Sequence, residues 1–271
     1  MEQLDQLRDI ADSIELSVKE CFAAGGEGRE IKIGADGYPT KMIDKMAEKA
    51  ALDRIDELGL EWNIHSEEIG DIDRGKRYTL ILDPVDGTYN AISGIPFFST
   101  SLALLDAESE SVTVGLVRNL PTGRTYSAVQ GKGAFLDGKI IQTRKMRLKR
   151  AVVSSYIGPE AKGWVEELIF WPKRTRYLGC ISLEICLVAS GGLDMFVMFG
   201  RIPRLTDVAA SHVILEEAGG RILMLDDKGR AVSFHPDFEK KGIKAFFALG
   251  DPTSLKRVLE ISKVKHNLRE K

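Results

Sequence analysis

The sequence predicts an α/β (α+β) fold, and three observations carry that reading. Helical spacing dominates up to about residue 58, strand-like runs broken by turn signals follow from about 62 to 141, and beyond about 146 short apolar strands alternate with helices. The change of pattern falls at the basic run RKMRLKR, residues 144 to 150. It divides the chain into an N-terminal α+β part with an antiparallel sheet, residues 1–145, and a C-terminal α/β part, residues 146–271.

The first helix is expected over residues 2 to 24, with Leu4, Leu7, Ile10, Ala11, Ile14 and Val18 on one face and the glycine-rich GGEG as its terminator. A short extended piece, REIKI, then runs into a Gly-Ala-Asp-Gly turn at 34 to 37. Thr40 is expected to cap a second helix that turns Met42, Ile43, Met46, Ala50 and Ile55 to the core. Residues 62–68, 78–83, 99–106, 111–119, 124–130 and 133–143 read as successive strands and hairpins, with a tight turn at Asp137-Gly138. In the second half AVVSSY, TRYL, LDMFVMF, RILML and KAFFAL read as strands. Helices are expected at EAKGWVEELIF, SLEICLVASG, DVAASHVILEEAG and from about 252 to 264.

Bulk properties exclude several classes. The 271 residues carry 38 basic and 40 acidic side chains, a net charge of -2, so no basic excess speaks for nucleic acid, although KRTR (173–176) would suit a small anion. No apolar run is long enough to span a bilayer, and the acidic N-terminus is not a signal peptide. Cys21, Cys180 and Cys186 form no metal-binding or paired spacing and read as reduced thiols of a cytoplasmic protein, Cys186 as a core residue.

The chemistry concentrates in YTLILDPVDGTYN, residues 78 to 90, where an apolar strand ends in two carboxylates. Pro84 restricts Asp83, Gly87 lets the backbone approach a ligand, and Thr88 offers a hydroxyl. Asp83, Asp86 and the Val85 carbonyl make an oxygen-only cluster of the kind Mg²⁺ prefers, and the N–H groups of Gly87 and Thr88, opening a short helix, would face an anion. Glu67 and Glu68 end another strand, and Asp207 sits in the first turn of a helix. Taken singly, each has a plainer reading: turn aspartates, a solvated acidic pair, a helix cap. His65 and His212 have no partner at ligand spacing and read as structural.

Together the segments EE (67–68), DPVDGTYN (83–90) and TDVAASHVILEEAGG (206–220) resemble the inositol monophosphatase superfamily of Mg²⁺-dependent, lithium-sensitive phosphatases. The first family motif, Asp-Pro-apolar-Asp-Gly-Thr-x-Asn, is matched at every position; in the second, Thr206 stands where the family usually has Trp. The resemblance extends over nearly the whole chain and implies α-β-α-β-α layers, a sandwich of the sugar phosphatase type, usually as a homodimer. It implies that Glu67, Asp83 and the Val85 carbonyl hold one Mg²⁺, that Asp83, Asp86 and Asp207 hold a second, and that Glu67 shares a weaker third, with Mn²⁺ a possible substitute. Gly87 and Thr88 would bind the substrate phosphate, and Thr88 with Asp44 would orient the attacking water. Lys32 and the loop 34–37 match a mobile catalytic loop. There Asp36 reads equally as a recruiter of the third metal or as an Asp-Gly turn.

The substrate is less sharply drawn. The segment IKIGADGYPTKMID looks like the archaeal and thermophilic branch, whose members often hydrolyse both fructose 1,6-bisphosphate and inositol 1-phosphate. Animal inositol monophosphatases place a Glu shortly before the second-motif Asp; here Met198 lies near that position, and Arg201 and Arg204 occupy a slightly longer loop. Arginines suit a second phosphate, although ion pairing is their commoner role. Arg176 and the Ile181 backbone match a segment that lines the substrate pocket, and Asp86 would also face the substrate. The expectation is a fructose-1,6-bisphosphatase with inositol-1-phosphatase activity. The alternatives are a dedicated inositol monophosphatase, a phosphatase of 3′-phosphoadenosine 5′-phosphate or NADP, and, from another class, an inactive phosphometabolite-binding regulator. The last is disfavoured because Glu67, Asp83, Asp86, Thr88 and Asp207 are all present.

Overall fold

The structure is a computed structural model that describes residues 2–35, 37, 39–158, 172–200, 202–236 and 242–261. Asp36, Arg201 and the helix expected at EAKGWVEELIF lie outside the described residues, as does the end of the last expected helix.

Helix α1 (Glu2–Ala24) leads through strands β1 (Glu30–Ile33) and β2 (Pro39–Lys41) into α2 (Met42–Glu57). Then come β3 (Asn63–Ser66), β4 (Gly70–Ile72), β5 (Tyr78–Asp86), the one-turn α3 (Thr88–Ile92), β6 (Ser99–Asp106), β7 (Ser111–Asn119), β8 (Thr125–Val129), β9 (Ala134–Leu136) and β10 (Lys139–Ile141). The remainder is β11 (Val152–Ile157), β12 (Arg174–Arg176), α4 (Ile181–Ala189), β13 (Met195–Phe199), α5 (Leu205–Glu217), β14 (Arg221–Asp226), β15 (Ala231–Ser233), β16 (Ile243–Leu249) and α6 (Leu255–Ile261).

An eight-stranded sheet runs β10-β9-β8-β7-β6-β5-β3-β4, antiparallel except where β3 lies parallel to β5. A six-stranded sheet runs β12-β11-β13-β16-β14-β15, and β11 is parallel to both of its neighbours. Side chains alternate across a strand, and that alternation builds the layers. Leu80 and Leu82 of β5 and Leu102 and Leu104 of β6 join Leu7, Ile10 and Ile14 of α1 and Ile43, Ala47 and Ala51 of α2 in one core. Ile81 and Ala103, facing the other way, join α4, α5 and the inner face of the second sheet, Phe196, Met198, Phe246 and Ala248. The outer face of that sheet, with Val197, Phe199, Ala245 and Phe247, packs on Val258 and Leu259 of α6. The order of layers is therefore α-β-α-β-α.

Three local readings are corrected. The buried stripe of α2 is Ile43, Ala47, Ala51 and Ile55; Ile43 and Ile55 lie where expected, Met42 and Met46 are partly buried against the same core, and Ala47 and Ala51 take the fully buried positions in place of Met46 and Ala50. Thr40 does not cap α2; its hydroxyl bonds the buried Glu68 carboxylate, and Lys41 N–H, the cap, donates instead to Asp44 Oδ2 over 2.9 Å. Strand β5 does not end at Asp83 but continues to Asp86. At Asp137-Gly138, by contrast, the two-residue turn is present with φ of 51° and 75°, joining β9 to β10.

Candidate active site

The extension of β5 is what creates the site. Asp83 pairs with Ser101 and Asp86 with Ser99, so β5 carries one residue more than β6 between those pairs. Pro84 cannot donate to a ladder and sits in this bulge, where the missing N–H does no harm. Val85 N–H turns back to Asp83 Oδ1 over 3.0 Å and fixes that carboxylate's rotamer. Gly87, at φ 89°, then opens α3. A Cβ there would stand 3.0 Å from the Gly179 carbonyl and 3.1 Å from Cys180 Cβ, so both conformation and space demand glycine.

Two other elements bring carboxylates to the bulge. Parallel pairing sets Ser66 of β3 beside Leu82 of β5, and Glu67 N–H continues the pairing to the Leu82 carbonyl. Glu67 therefore stands next to Asp83. Asp207 occupies the first turn of α5, where its Oδ2 accepts Arg204 N–H over 3.1 Å, and Ser101 Oγ ties the Thr206 carbonyl to β6. The result is a cluster in which one oxygen each from Glu67, Asp83 and Asp207 lies within 4.8 Å of the others. Asp83 and Asp207 are buried, and Asp83 Oδ2 has no hydrogen-bond partner at all. An orphaned buried carboxylate oxygen facing other carboxylates is an unstable arrangement by itself. Burial first, then the charges of Asp86, Asp207 and Asp44, push the Asp83 carboxyl well above the ordinary range. This donor set, oxygen only, suits a hard divalent cation.

Asp86 stands outside the closest trio. Its Oδ2 accepts the Ser182 N–H over 2.7 Å and the Cys180 thiol over 3.2 Å. Burial and then the Asp207 charge raise its pKa, so it shares the field of the cluster. Thr88 Oγ1 stands 2.9 Å from both Asp44 Oδ1 and the Val85 carbonyl, which places three expected site residues in one contact. Burial pushes the Asp44 carboxyl up to about 6 even though Lys41 N–H and Thr88 hydrogen bonds act the other way.

The acidic pair at 67 and 68 lies in the turn after β3 rather than on the strand itself, and its two side chains part there. Glu67 faces the cluster, while Glu68 is buried behind it on Thr40. The Glu68 carbonyl accepts Ala35 N–H over 3.1 Å and Lys32 Nζ over 3.4 Å, which tethers the 30–41 segment to the site. Arg204, expected among the substrate ligands, lies across the carboxylates: it pairs with Glu67, and its Nη2 is 3.0 Å from Asp207 Oδ1. Arg176 is exposed on β12, with its Nη1 on the Thr175 carbonyl, and Ile181 opens α4 at half-burial. His65 pairs with Asp71 and His212 with Glu216, away from the carboxylate trio. Ser182 and Cys180 were not legible as site residues, since their partner Asp86 lies more than ninety positions away and only the fold joins them.

The inositol monophosphatase family model matches residues 12–245. A fructose-1,6-bisphosphatase from Pyrococcus furiosus is 39% identical over 227 residues, covering 84% of this chain and 86% of that protein. A bifunctional NADP phosphatase/NAD kinase from Methanococcus maripaludis is 36% identical over 89% of this chain but only 46% of its own length. A solved structure described as an inositol monophosphatase-fructose 1,6 bisphosphatase superposes with a TM-score of 0.81 at 30% identity, covering 95% of this chain and 98% of that one.

Proposed function

The chain belongs to the inositol monophosphatase family and is a phosphatase, and we propose that it is Mg²⁺-dependent and hydrolyses both fructose 1,6-bisphosphate and inositol 1-phosphate by direct attack of water. The observation that carries this reading is the convergence of Glu67, Asp83 and Asp207 around the unpartnered Asp83 Oδ2. Among the described residues, Glu67, Asp83, Asp86 and Asp207 meet the Arg204 guanidinium there, an excess of negative charge that divalent cations would balance. Glu67, Asp83 and the Val85 carbonyl would hold one Mg²⁺, and Asp83, Asp86 and Asp207 a second. When bound, the ions supply charge neutralisation of the phosphate, a water of lowered pKa and stabilisation of the leaving alkoxide.

The chain's own groups then have separate tasks. The backbone of Gly87 and Thr88 would grip the phosphate at the start of α3. Thr88 Oγ1 would orient the water and pass hydrogen-bond order to Asp44, a buried carboxylate held on the Thr88 hydroxyl where it could take up a proton. The Ser182 N–H would keep Asp86 Oδ2 engaged, leaving its other oxygen for the cation side. No Ser, Cys or His stands in place as a nucleophile among the described residues of this cluster, and Cys180, beside Asp86, has its thiol pushed up by burial, so a covalent phosphoenzyme is not needed.

The bisphosphate preference draws on the Pyrococcus furiosus relative, because Arg204 is engaged with Glu67 and Asp207. A second reading, release of a phosphate from NADP, is favoured by the Methanococcus maripaludis relative's phosphatase name. The free, buried Cys21, Cys180 and Cys186 support a reducing compartment such as the cytoplasm. The resemblance also implies a homodimer, which sedimentation equilibrium would test. The deciding experiment is Mg²⁺-dependent phosphate release, with kcat/KM compared for fructose 1,6-bisphosphate, inositol 1-phosphate and NADP on one preparation. Comparable values for the first two support the proposal. A strong preference for NADP moves the assignment to the second reading, and silence on all three with Mg²⁺ removes it.

A further inference from the structure

Glu184 is a carboxylate with no exposed surface in the first turn of α4, buried where an unpaired charge would be costly. Its partners are neutral donors. The hydroxyls of Ser154 and Tyr156, both on β11, donate to its two oxygens, and Leu178 N–H donates to Oε1 over 3.3 Å. Tyr156 extends the network: its hydroxyl accepts Gly179 N–H over 2.7 Å, and its ring stacks on Tyr177 at 4.0 Å between centroids. The strap from Tyr177 to Gly179, which has little regular structure of its own, is thus anchored from one side on Glu184.

From its other side the strap grips the catalytic turn. The Leu178 carbonyl accepts Asn90 Nδ2 over 2.6 Å, and the Gly179 carbonyl is packed against Gly87. The next residues, Cys180 and Ser182, give Asp86 Oδ2 its two donors. A continuous set of contacts therefore runs from Glu184 through the strap to the Asp86-Gly87 pair. Glu184 itself touches none of the site carboxylates.

We propose that Glu184 is a positioning residue for this reaction, setting through Tyr156 and the 177–182 strap where Asp86 and Gly87 stand. The proposal rests on the reading of the site as a metal-dependent phosphatase centre. Alanine at 184 would leave the Tyr156 hydroxyl and the Leu178 N–H without their acceptor and Ser154 Oγ with only the Arg176 carbonyl, and the strap would settle elsewhere. Glutamine keeps the volume but only one of the two acceptor oxygens, so it should restore part of the anchoring. Groups that orient metal ligands in this indirect way alter affinity or turnover by about 10- to 100-fold when removed.

The test uses the full chain with Glu184→Ala, Glu184→Gln and Tyr156→Phe. Mn²⁺ binding is titrated without substrate by electron paramagnetic resonance. Turnover of a small aryl phosphate is measured at saturating Mg²⁺. The expected result is about tenfold weaker Mn²⁺ binding at the site that includes Asp86 for Glu184→Ala, with kcat lowered at least as much and KM changed less. Glu184→Gln and Tyr156→Phe should fall between it and the wild type in both readouts. A folded Glu184→Ala with wild-type Mn²⁺ binding and kcat overturns the proposal. If that variant does not fold, wild-type Mn²⁺ binding and kcat in both milder variants overturn it equally. Failure of the phosphatase reading would look different: the wild type itself would release no phosphate, while the Mn²⁺ titrations would still report on Glu184.

Discussion

Thr88 Oγ1 lies 2.9 Å from Asp44 Oδ1, joining the first residue of α3 to the first turn of α2 across forty-four positions of sequence. A hydroxyl has one hydrogen to give, and here it has two acceptors at equal distance, Asp44 and the Val85 carbonyl. Asp44 is nearly buried and sits in a helix N-terminus, so the pair is held rigidly. Removal of either member should act on the chemical step. Thr88→Ala and Asp44→Asn are each expected to lower kcat by about 10²-fold with KM little changed, the range typical of a positioned proton acceptor. Steady-state kinetics at saturating Mg²⁺ decide it; an effect on KM alone would assign the pair to substrate binding.

Arg204 presents a different balance. Its guanidinium is about a third exposed, yet it spans Glu67 and Asp207, the two carboxylates that flank Asp83. In metal-free protein it is the nearby positive charge that eases their mutual repulsion. Arg204→Ala should therefore melt a few degrees below the wild type in chelator, on the order of 1 to 2 kcal/mol. Added Mg²⁺ should raise its melting temperature by more than it raises that of the wild type, because the cations replace the lost charge. Differential scanning calorimetry with chelator and with Mg²⁺ gives both numbers, and an equal Mg²⁺ shift in the two proteins would sink the argument.

These contacts also mark how far the sequence could be read. Most strands of the first half and the boundaries of α1 were legible because side-chain periodicity and turn residues agree with the final packing; β2 and β4, three residues each, are too short to show a period, and the order of layers was legible only through the family resemblance. Asp83, Asp86, Glu67 and Asp207 were legible because of their motifs. The bulge at Pro84 was not, since DPVDG reads as a turn until β6 is laid beside it. Thr40 was misread for a related reason: a threonine ahead of a helix is a good cap, but the partner that wins it, Glu68, arrives from twenty-eight residues later. The Asp86 donors on Cys180 and Ser182 likewise exist only once the two halves are packed.

The raised carboxyl at Asp44 has a pH consequence of definite sign. Its folded value of about 6 lies above the ordinary 3.8, so between those values the native state holds the proton that the unfolded chain has released. Metal-free stability from this group must then fall as pH rises through that window, with the full penalty present above about 6. Burial acts in the same direction on Asp83 and Asp86. Asp44→Asn has no such proton to lose. In chelator, its stability relative to the wild type should rise from about pH 4 to pH 6 and then level off, by on the order of 2 to 3 kcal/mol in all. Urea unfolding of the two proteins across that range measures the difference directly; a difference that stays flat, or runs the other way, would show Asp44 ionising at its ordinary value.

The seating of α5 on β7 holds Asp207 at the site. Gly115, in the middle of β7, lets this helix come close to the sheet: a Cβ there would stand 2.5 Å from the Ala210 carbonyl and 2.5 Å from Val213 Cγ1. Val213 can turn, but the Ala210 carbonyl is backbone and cannot yield without moving the helix. Ala209, Ala210 and Ser211 are small and buried, so a turn of Val213 leaves the clash with the Ala210 carbonyl in place. Gly115→Ala should therefore shift α5 outward and carry Asp207, one helical turn before Ala210, away from Asp83. Overpacking of this kind costs about 1 to 3 kcal/mol of stability. The decisive readout is the divalent ion: Mn²⁺ affinity should fall together with the melting temperature. Gly192→Ala is the control, because its nearest neighbours, the Leu187 side chain and carbonyl oxygen, both stand at 3.4 Å, an ordinary contact distance, and it should keep Mn²⁺ affinity whatever it does to stability. If Gly115→Ala loses stability but binds Mn²⁺ as tightly as the wild type, the position of Asp207 is set by its own hydrogen bonds to Arg204 rather than by the seating of α5 on β7.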